Sequence, residues 1–432
     1  MKTKEDIIRL IDEEDVEFIR LQFTDALGNL KNMAVTPGQL DRVVNNMYSF
    51  AGSAAFNDQY DFSSDLYLIP DLDTFVTLPW RPQQGKVAKL ICDIGRETAT
   101  ENDDYVITPF EMSSRTILKN VVQEAEQKGY TFMINPECEF FLFHTDEDGR
   151  PTTLSHESAG YLDVGPADLG ENARRDMVLA LEEMGFEIES SHHEKAPGQH
   201  EIDFKQGESL AIADSVMTFK FAVRSIAKRF GLYATFMPKP VIGVPGSGMH
   251  INFSLYRDGK NLFDEAGKMS ETAKYFVGGI LEHAGALCAI TNPTVNSYKR
   301  LLGGEGAPSR VTWSDSNNGA AVRFCRKFSE AKVEVRFPDP AANPYTAFAA
   351  CIAAGLDGIE RQVKPDIRNS LNAQKLPGNL NDALRNLKKD DVIRKALGSD
   401  FIDIYTSIRK KEWNEYMMQV SDWEISKYLV NI

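Results

Sequence analysis

The sequence predicts an α+β protein in two parts, a small N-terminal domain over residues 1–100 and a large domain over 101–432. Three observations carry that reading. Short runs with alternating polar and apolar residues are interleaved with longer helical stretches, and no internal repeat is present. A polar, acidic stretch over 97–108 has the composition of a linker. A chain of 432 residues, 42% of them hydrophobic, also has material for more than one core.

Thr3 with Asp6 has the pattern of a capping box and opens a short helix. The apolar run 16–23 and the turn Asp25-Ala26-Leu27-Gly28-Asn29 predict a hairpin. Three more β-like runs, 66–70, 74–79 and 86–94, are punctuated by Pro, Gly and Asp. Beyond the linker, 109–129 reads as a helix stopped by Gly129. Helical patterns recur at 171–184, 212–230, 270–290, 344–360 and 401–418, with polar-alternating strands between them.

Composition excludes several functions. With 63 acidic against 48 basic side chains, a net charge of -15 and no basic cluster, nucleic acid is not an expected partner. No apolar run approaches the ~20 residues that span a bilayer, and the first residues lack a signal-peptide core, so a cytoplasmic protein without membrane partners is expected. Five cysteines without CxxC spacing indicate reduced, mostly buried thiols.

Chemistry is concentrated on a few strands. Period-2 geometry sends Glu137 and Glu139 to one side of PECEFFLF (136–143), with Cys138 and Phe140 opposite. The same rule groups His250, Asn252 and Ser254 in 248–256, Gln199, Glu201 and Asp203 in 199–204, and Lys332, Glu334 and Arg336 in 332–337. Any one of these also fits a half-solvated antiparallel strand. Together they crowd carboxylates that repel unless cations lie between them. Carboxylates with one imidazole suit Mg²⁺ or Mn²⁺ rather than zinc. Arg300, Arg323 and Arg336 offer paired donors for carboxylate or phosphate. The glycine-rich loop 301–308 reads as a flap, and neither GxxxxGK[ST] nor GxGxxG occurs.

At these residues the chain resembles the glutamine synthetase family, type I, over nearly its whole length. The resemblance rests on PDLDTF (70–75), PECEFF, the segment 170–204, TFMPKP (235–240), GSGMH (246–250), TNPTVNSYKRL (291–301) and VEVRFPDPAANPY (333–345). It implies an N-terminal β-grasp domain over 1–100 and a catalytic domain with a curved antiparallel sheet over 101–432. It also implies a dodecamer of two hexameric rings, in which a neighbour's N-terminal domain completes each site. Glu139, Glu194 and Glu201 match the ligands of the metal nearer the amino acid, and Glu137, His250 and Glu334 those of the metal bridging ATP phosphates. Arg323 matches a phosphate contact, Ser254 a nucleotide contact and Arg300 the arginine for the substrate α-carboxylate. Arg336 matches an arginine near the side-chain carboxylate, and Gly246 a backbone contact to the substrate.

The departures from the family pattern lie on the ammonium and amino-acid side. The aspartate of FDGSS is replaced by Ala51, and the flap glutamate by Gly306, with Glu305 one position early. Asn318 replaces the NRS arginine, and Pro245 the asparagine of NGSGMH. Three readings follow: an ATP-dependent ligase joining glutamate to a primary amine larger than ammonia, glutamine synthetase itself, or a catalytically silent paralogue. Six retained metal ligands argue against the last, since buried carboxylates without metal are costly. Ammonium has no apolar part and must be selected by charge, so losing two carboxylates favours the amine.

Overall fold

The computed structural model describes every residue except 57–63, 82–83, 101–103, 156, 304–305, 328–329, 367–371 and 431. The first domain opens with α1 (Lys4–Glu14), capped as expected by Thr3 and Asp6, followed by β1 (Val16–Thr24) and β2 (Leu30–Val35). The Asp25 carboxylate closes this hairpin by accepting the amides of Leu27 (3.0 Å) and Asn29 (2.8 Å). After α2 (Leu40–Val44) come β3 (Ser49–Ala51), β4 (Asp65–Thr77), β5 (Lys86–Ala99) and β6 (Tyr105–Pro109). The sheet runs β2-β1-β5-β4-β3, with β6 also on β5 and β1 parallel to β5. This is a β-grasp arrangement.

Two expectations change here. The runs 66–70 and 74–79 are one strand, β4, whose register slips between Asp71 and Val76. The stretch read as a linker instead folds back as the β5–β6 pair, Gly95 facing Pro109 and Ala99 facing Tyr105. Its acidic composition hid a β-branched signal at Thr98, Val106, Ile107 and Thr108.

The second domain continues with α3 (Ser114–Gln127), β7 (Thr131–His144), α4 (Glu171–Glu183), β8 (Ile188–His193), β9 (Gln199–Phe204), β10 (Gly207–Glu208), α5 (Ser209–Arg229) and β11 (Leu232–Thr235). Then follow β12 (Met249–Arg257), the short strands β13 (Lys260–Asn261), β14 (Asp264–Glu265) and β15 (Lys268–Met269), α6 (Glu271–Glu282), α7 (Ala284–Thr291) and α8 (Val295–Gly303). The single helix expected over 270–290 thus breaks at His283. The chain closes with β16 (Trp313–Ser314), β17 (Val322–Lys327), β18 (Glu330–Val335), α9 (Pro344–Arg361), α10 (Leu380–Leu387), α11 (Asp391–Leu397), α12 (Ser399–Met417) and α13 (Asp422–Tyr428). No described helix is long and apolar enough to cross a membrane.

The large sheet runs β16-β17-β18-β12-β7-β9-β8 and is antiparallel except at β16–β17. One face of β7 is core: Cys138 and Phe140 are fully buried, with Phe140 edge-on to Phe219 of α5 at 6.1 Å. A buried aromatic of this kind contributes roughly 1.5–3 kcal/mol, which fixes the strand's register and leaves Glu137 and Glu139 on the opposite face. Arg115 of α3 joins the two sheets. Its guanidinium, 4% exposed, reaches Asp71 (2.7 Å) and Asp93 (2.8 Å) of the first sheet and Asp214 (2.8 Å) of α5.

Candidate active site

Strand register assembles the site. His250 faces Glu137 across β12–β7, Asn252 faces Glu334 across β12–β18, and Arg323 faces Glu334 across β17–β18. On the other side Glu139 faces Glu201, which in turn faces His192. The four separate strand patterns therefore form one polar band across the sheet.

One end of the band holds Glu137, His250 and Glu334. His250 Nδ1 lies 3.2 Å from Glu137 Oε2 and 3.5 Å from Glu334 Oε1, so three ligand atoms converge. Burial works against ionised Glu137, but the hydrogen bonds and charge of His250, with Asn252 Nδ2 donating at 3.0 Å, hold its carboxyl down at about 2. Fully buried Glu334 also meets Arg323 Nε at 2.6 Å and Arg336 Nη1. Asn318 links those arginines, accepting from Arg323 Nη1 at its side chain and from Arg336 Nε at its carbonyl (2.9 Å). Asn318 thus tethers the two arginines that meet Glu334.

The other end gathers His192, Glu194 and Glu201, again within reach of one cation. Glu139 stands beside them, its Oε2 accepting from Gln199 Nε2 (2.7 Å) and the Gly248 amide (2.9 Å). Burial first, and then the carboxylates of Asp203, Glu139, Glu137 and Glu194, push Glu201 well above the usual carboxylate range. Burial also raises Glu139, with Glu194 adding to it against His250 and Arg300. Carboxylates raised in this way by one another are the electrostatic signature of a place for cations. The donor set, six carboxylate or imidazole groups with no thiolate among the predicted ligands, fits hard divalent ions.

His192 escaped the sequence reading, although it lies two residues before Glu194 and its alternation with that residue was available. So did the support beneath Glu194. His193 Nδ1 donates to the Glu194 carbonyl (2.6 Å) and its Nε2 pairs with buried Glu157 (2.7 Å), fixing the segment from outside the band.

The remaining predicted residues fall as follows. Arg300, 2% exposed, donates to the carbonyls of Phe337 (2.8 Å), Pro338 (3.1 Å) and Arg336 (3.2 Å), while its Nε has no partner among described residues. Gly248 separates it from His250: a Cβ there would lie 2.7 Å from Arg300 Nη2 and 3.0 Å from His250 Nε2. The Gly246 carbonyl accepts from Gln199 at 3.3 Å, which ties it to Glu139. Ser254 is buried and donates to the Ala331 carbonyl at 3.1 Å, at the β18 edge of the band. Ala51 is exposed at the end of edge strand β3. Glu305 lies outside the described residues, and Gly306 is exposed with φ +83°.

Comparison with known proteins places these features in one family. The β-grasp domain of glutamine synthetase matches residues 15–97, and the glutamine synthetase catalytic domain matches 111–428. Among curated relatives, a glutamine synthetase of Clostridium saccharobutylicum is 48% identical over 99% of this chain and 98% of its own. One from Staphylococcus aureus (strain Mu50 / ATCC 700699) is 45% identical over the same shares. Solved structures titled as a GmaS/ADP complex and as apo GmaS superpose with TM-scores of 0.88 and 0.87 at 34% identity, covering 98% of this chain and 99% of theirs. Domain matches at both ends of the chain, full-length relatives and a polar band in the catalytic sheet agree: the chain belongs to the glutamine synthetase family, ATP- and divalent-metal-using enzymes that join ammonia or an amine to glutamate.

Proposed function

We propose that this enzyme forms a γ-glutamyl amide from glutamate, ATP and a primary amine larger than ammonia, through γ-glutamyl phosphate. The observation that carries the proposal is the asymmetry of the site. Ionisable groups crowd the proposed phosphoryl side, whereas Ala51 and Gly306 occupy the sequence positions at which the family pattern has the carboxylates that select ammonium. The likeness to GmaS, one of whose structures holds ADP, supports a nucleotide site. The relatives at 45–48% identity bear the name glutamine synthetase and favour the second reading, in which Glu305 supplies the missing carboxylate.

In this reading Glu137, His250 and Glu334 hold one divalent ion, and Glu139, Glu194 and Glu201, with His192 beside them, another. Bound there, the ions supply charge neutralisation for phosphate oxygens. Arg323, fixed by Glu334 and Asn318, faces the γ-phosphate, and Arg300 the α-carboxylate of glutamate. The γ-carboxylate oxygen attacks the γ-phosphorus in line, forming an acyl phosphate as the bond to ADP breaks. The amine nitrogen then adds to the acyl carbon, loses a proton, and phosphate leaves. In this reading Arg336, held by Glu334 and the Asn318 carbonyl, stabilises charge on the reacting carboxyl. The loop around Gly306 covers the anhydride against water.

The same reading includes a homododecamer, a cytoplasmic setting in which the five unpaired cysteines stay reduced, and two domains whose boundary, expected near residue 100, lies beyond Pro109 because β6 belongs to the first sheet. Phosphate release with glutamate, ATP and a panel of amines including ammonia tests the proposal. The amine reading expects a higher kcat/KM for some primary amine, and Ala51→Asp returning preference toward ammonia. A glutamate at position 306 is a poorer restoring change because φ there is +83°. If ammonia is the best acceptor and Glu305→Ala abolishes its use, the enzyme is a glutamine synthetase.

A further inference from the structure

A cavity of about 770 Å³ lies between the first sheet and the second domain, away from the polar band. Its walls come from β1 and β2, α5, the segment after β11, and α12. Five cationic side chains line it, Arg20, Lys220, Arg224, Arg409 and Lys411, against two carboxylates, Glu412 and Glu415. Arg409 is already committed to Glu412 at 2.7 Å. An excess of positive charge here is notable in a chain of net charge -15.

Lys220 is the anchor of the argument. It is 6% exposed, yet among described residues its ammonium has no carboxylate within ion-pairing distance; it donates to the Ala342 carbonyl at 3.2 Å. Burial pushes it down to about 8. It also lies 5.9 Å from the Phe236 ring centroid, but a buried ammonium met by one carbonyl and a ring face has no anion among the described residues within ion-pairing distance, which leaves its charge to be answered from the cavity. Arg224, one helical turn on, likewise has no ion pair among described residues, and its guanidinium sits 5.1 Å from the Phe236 ring centroid. Arg20 approaches from β1 on the opposite wall.

We propose that this interdomain cavity binds a small organic anion carrying at least two negative charges, a phosphate ester or a dicarboxylate, with Lys220 and Arg224, both held against the Phe236 ring, as its charge partners. The volume lies within the range of small-molecule sites, about 300–1,000 Å³. Such an occupant touches both domains at once, so binding stabilises their docking by mass action.

Titration calorimetry on the full-length assembled protein, with glycerol 3-phosphate and succinate as probes and chloride at matched ionic strength as control, tests the proposal and separates the two anion sources. Binding of at least one probe is expected at millimolar concentration or below, weakened tenfold or more by Lys220→Met and by Arg224→Ala. Arg224→Ala should leave kcat/KM for ATP within twofold. If Lys220→Met does not fold, Arg224→Ala and Arg20→Ala decide the matter. Heats no larger than those of chloride, or probe affinity unchanged in Arg224→Ala, overturn the site; the latter result assigns the binding to the catalytic band or to nonspecific charge.

Discussion

Gly248 separates two groups that the proposed chemistry uses together, and adding one methyl there tests whether they are both needed where they stand. The new Cβ of Gly248→Ala would meet Arg300 Nη2 at 2.7 Å and His250 Nε2 at 3.0 Å, where ordinary contact begins at 3.4 Å. Arg300 must therefore retreat by about 0.7 Å, the gap between 2.7 and 3.4. It has little freedom to do so, because three carbonyls hold its terminal nitrogens. Overpacking of this sort costs about 1–3 kcal/mol. With an unfolding entropy of roughly 0.9 kcal/mol/K for a chain this long, that lowers Tm by only about 1–3 °C. Activity should suffer more. A 1 Å misplacement of a positioning group can cost about 100-fold, so 0.7 Å predicts a kcat/KM loss on the order of 10–50-fold, shared between glutamate and metal dependence. Steady-state phosphate release, with melting curves in parallel, measures both. Gly38→Ala is the control, since a Cβ there meets nothing within 4 Å. A Gly248→Ala enzyme with kcat/KM within twofold of the parent would refute the placement of Arg300 and His250 in one working site.

Chelation should stop ATP turnover, Mg²⁺ or Mn²⁺ should restore it, and Glu139→Ala or Glu334→Ala should lower it at least about 100-fold even in excess Mg²⁺; unchanged turnover in both variants would remove the cation assignment. Arg115→Met leaves Asp71, Asp93 and Asp214 without their common cation and should cost about 3–5 kcal/mol, a Tm lower by roughly 3–5 °C, whereas a melt within 1 °C of the parent would show that the interdomain network contributes little. His283 is squeezed between Asp390 (2.7 Å) and Asp357 (3.0 Å), with Glu282 and Arg361 also near, and although burial opposes it, the two aspartates raise its imidazole above 6.5. Its contribution is fully present below 6.5 and is lost as pH rises through the raised folded value, so the Tm advantage over His283→Gln should shrink as pH is raised above 6.5, and parallel curves would contradict it.

The fold was legible where periodicity and punctuation agree. Thr3 and Asp6 cap α1 as read, and β7, β9 and β18 carry their carboxylates, and β12 its His250, on one face because alternation is a geometric property of strands. The β5–β6 hairpin was missed because acidic composition outweighed its β-branched residues, and the break at His283 because apolar periodicity continues on both sides of it. Which strands become neighbours is a different kind of information. Glu139 and Glu201 are far apart in sequence and meet only through the β7–β9 pairing, so alternation could nominate each but could not bring them together. His192 is a different case, since its alternation with Glu194 could have nominated it, although its pairing with Glu201 across β8–β9 could not be read from the sequence.

The division between shared and divergent residues follows the mechanics of the scaffold. Most groups proposed to act on phosphate and metal, Glu137, Glu139, Glu201, His250 and Glu334, sit on the interior strands β7, β9, β12 and β18, where one face is locked by Phe140, Phe219 and their neighbours and a slip of one residue would turn these ligands into the core. Change there is costly in stability as well as chemistry. Ala51 ends an edge strand of the other sheet, and Gly306 lies in an exposed loop, where a substitution disturbs few neighbours. Acceptor choice is thus placed on the segments that can vary without unfolding the protein, while activation of the acid is placed on segments that cannot. Asn318 belongs to the first group by exposure but to the second by its bonds to Arg323 and Arg336. On this argument its replacement should disturb the phosphoryl step for every amine alike, and alterations at Ala51 should re-rank the amines while leaving the ATP dependence in place.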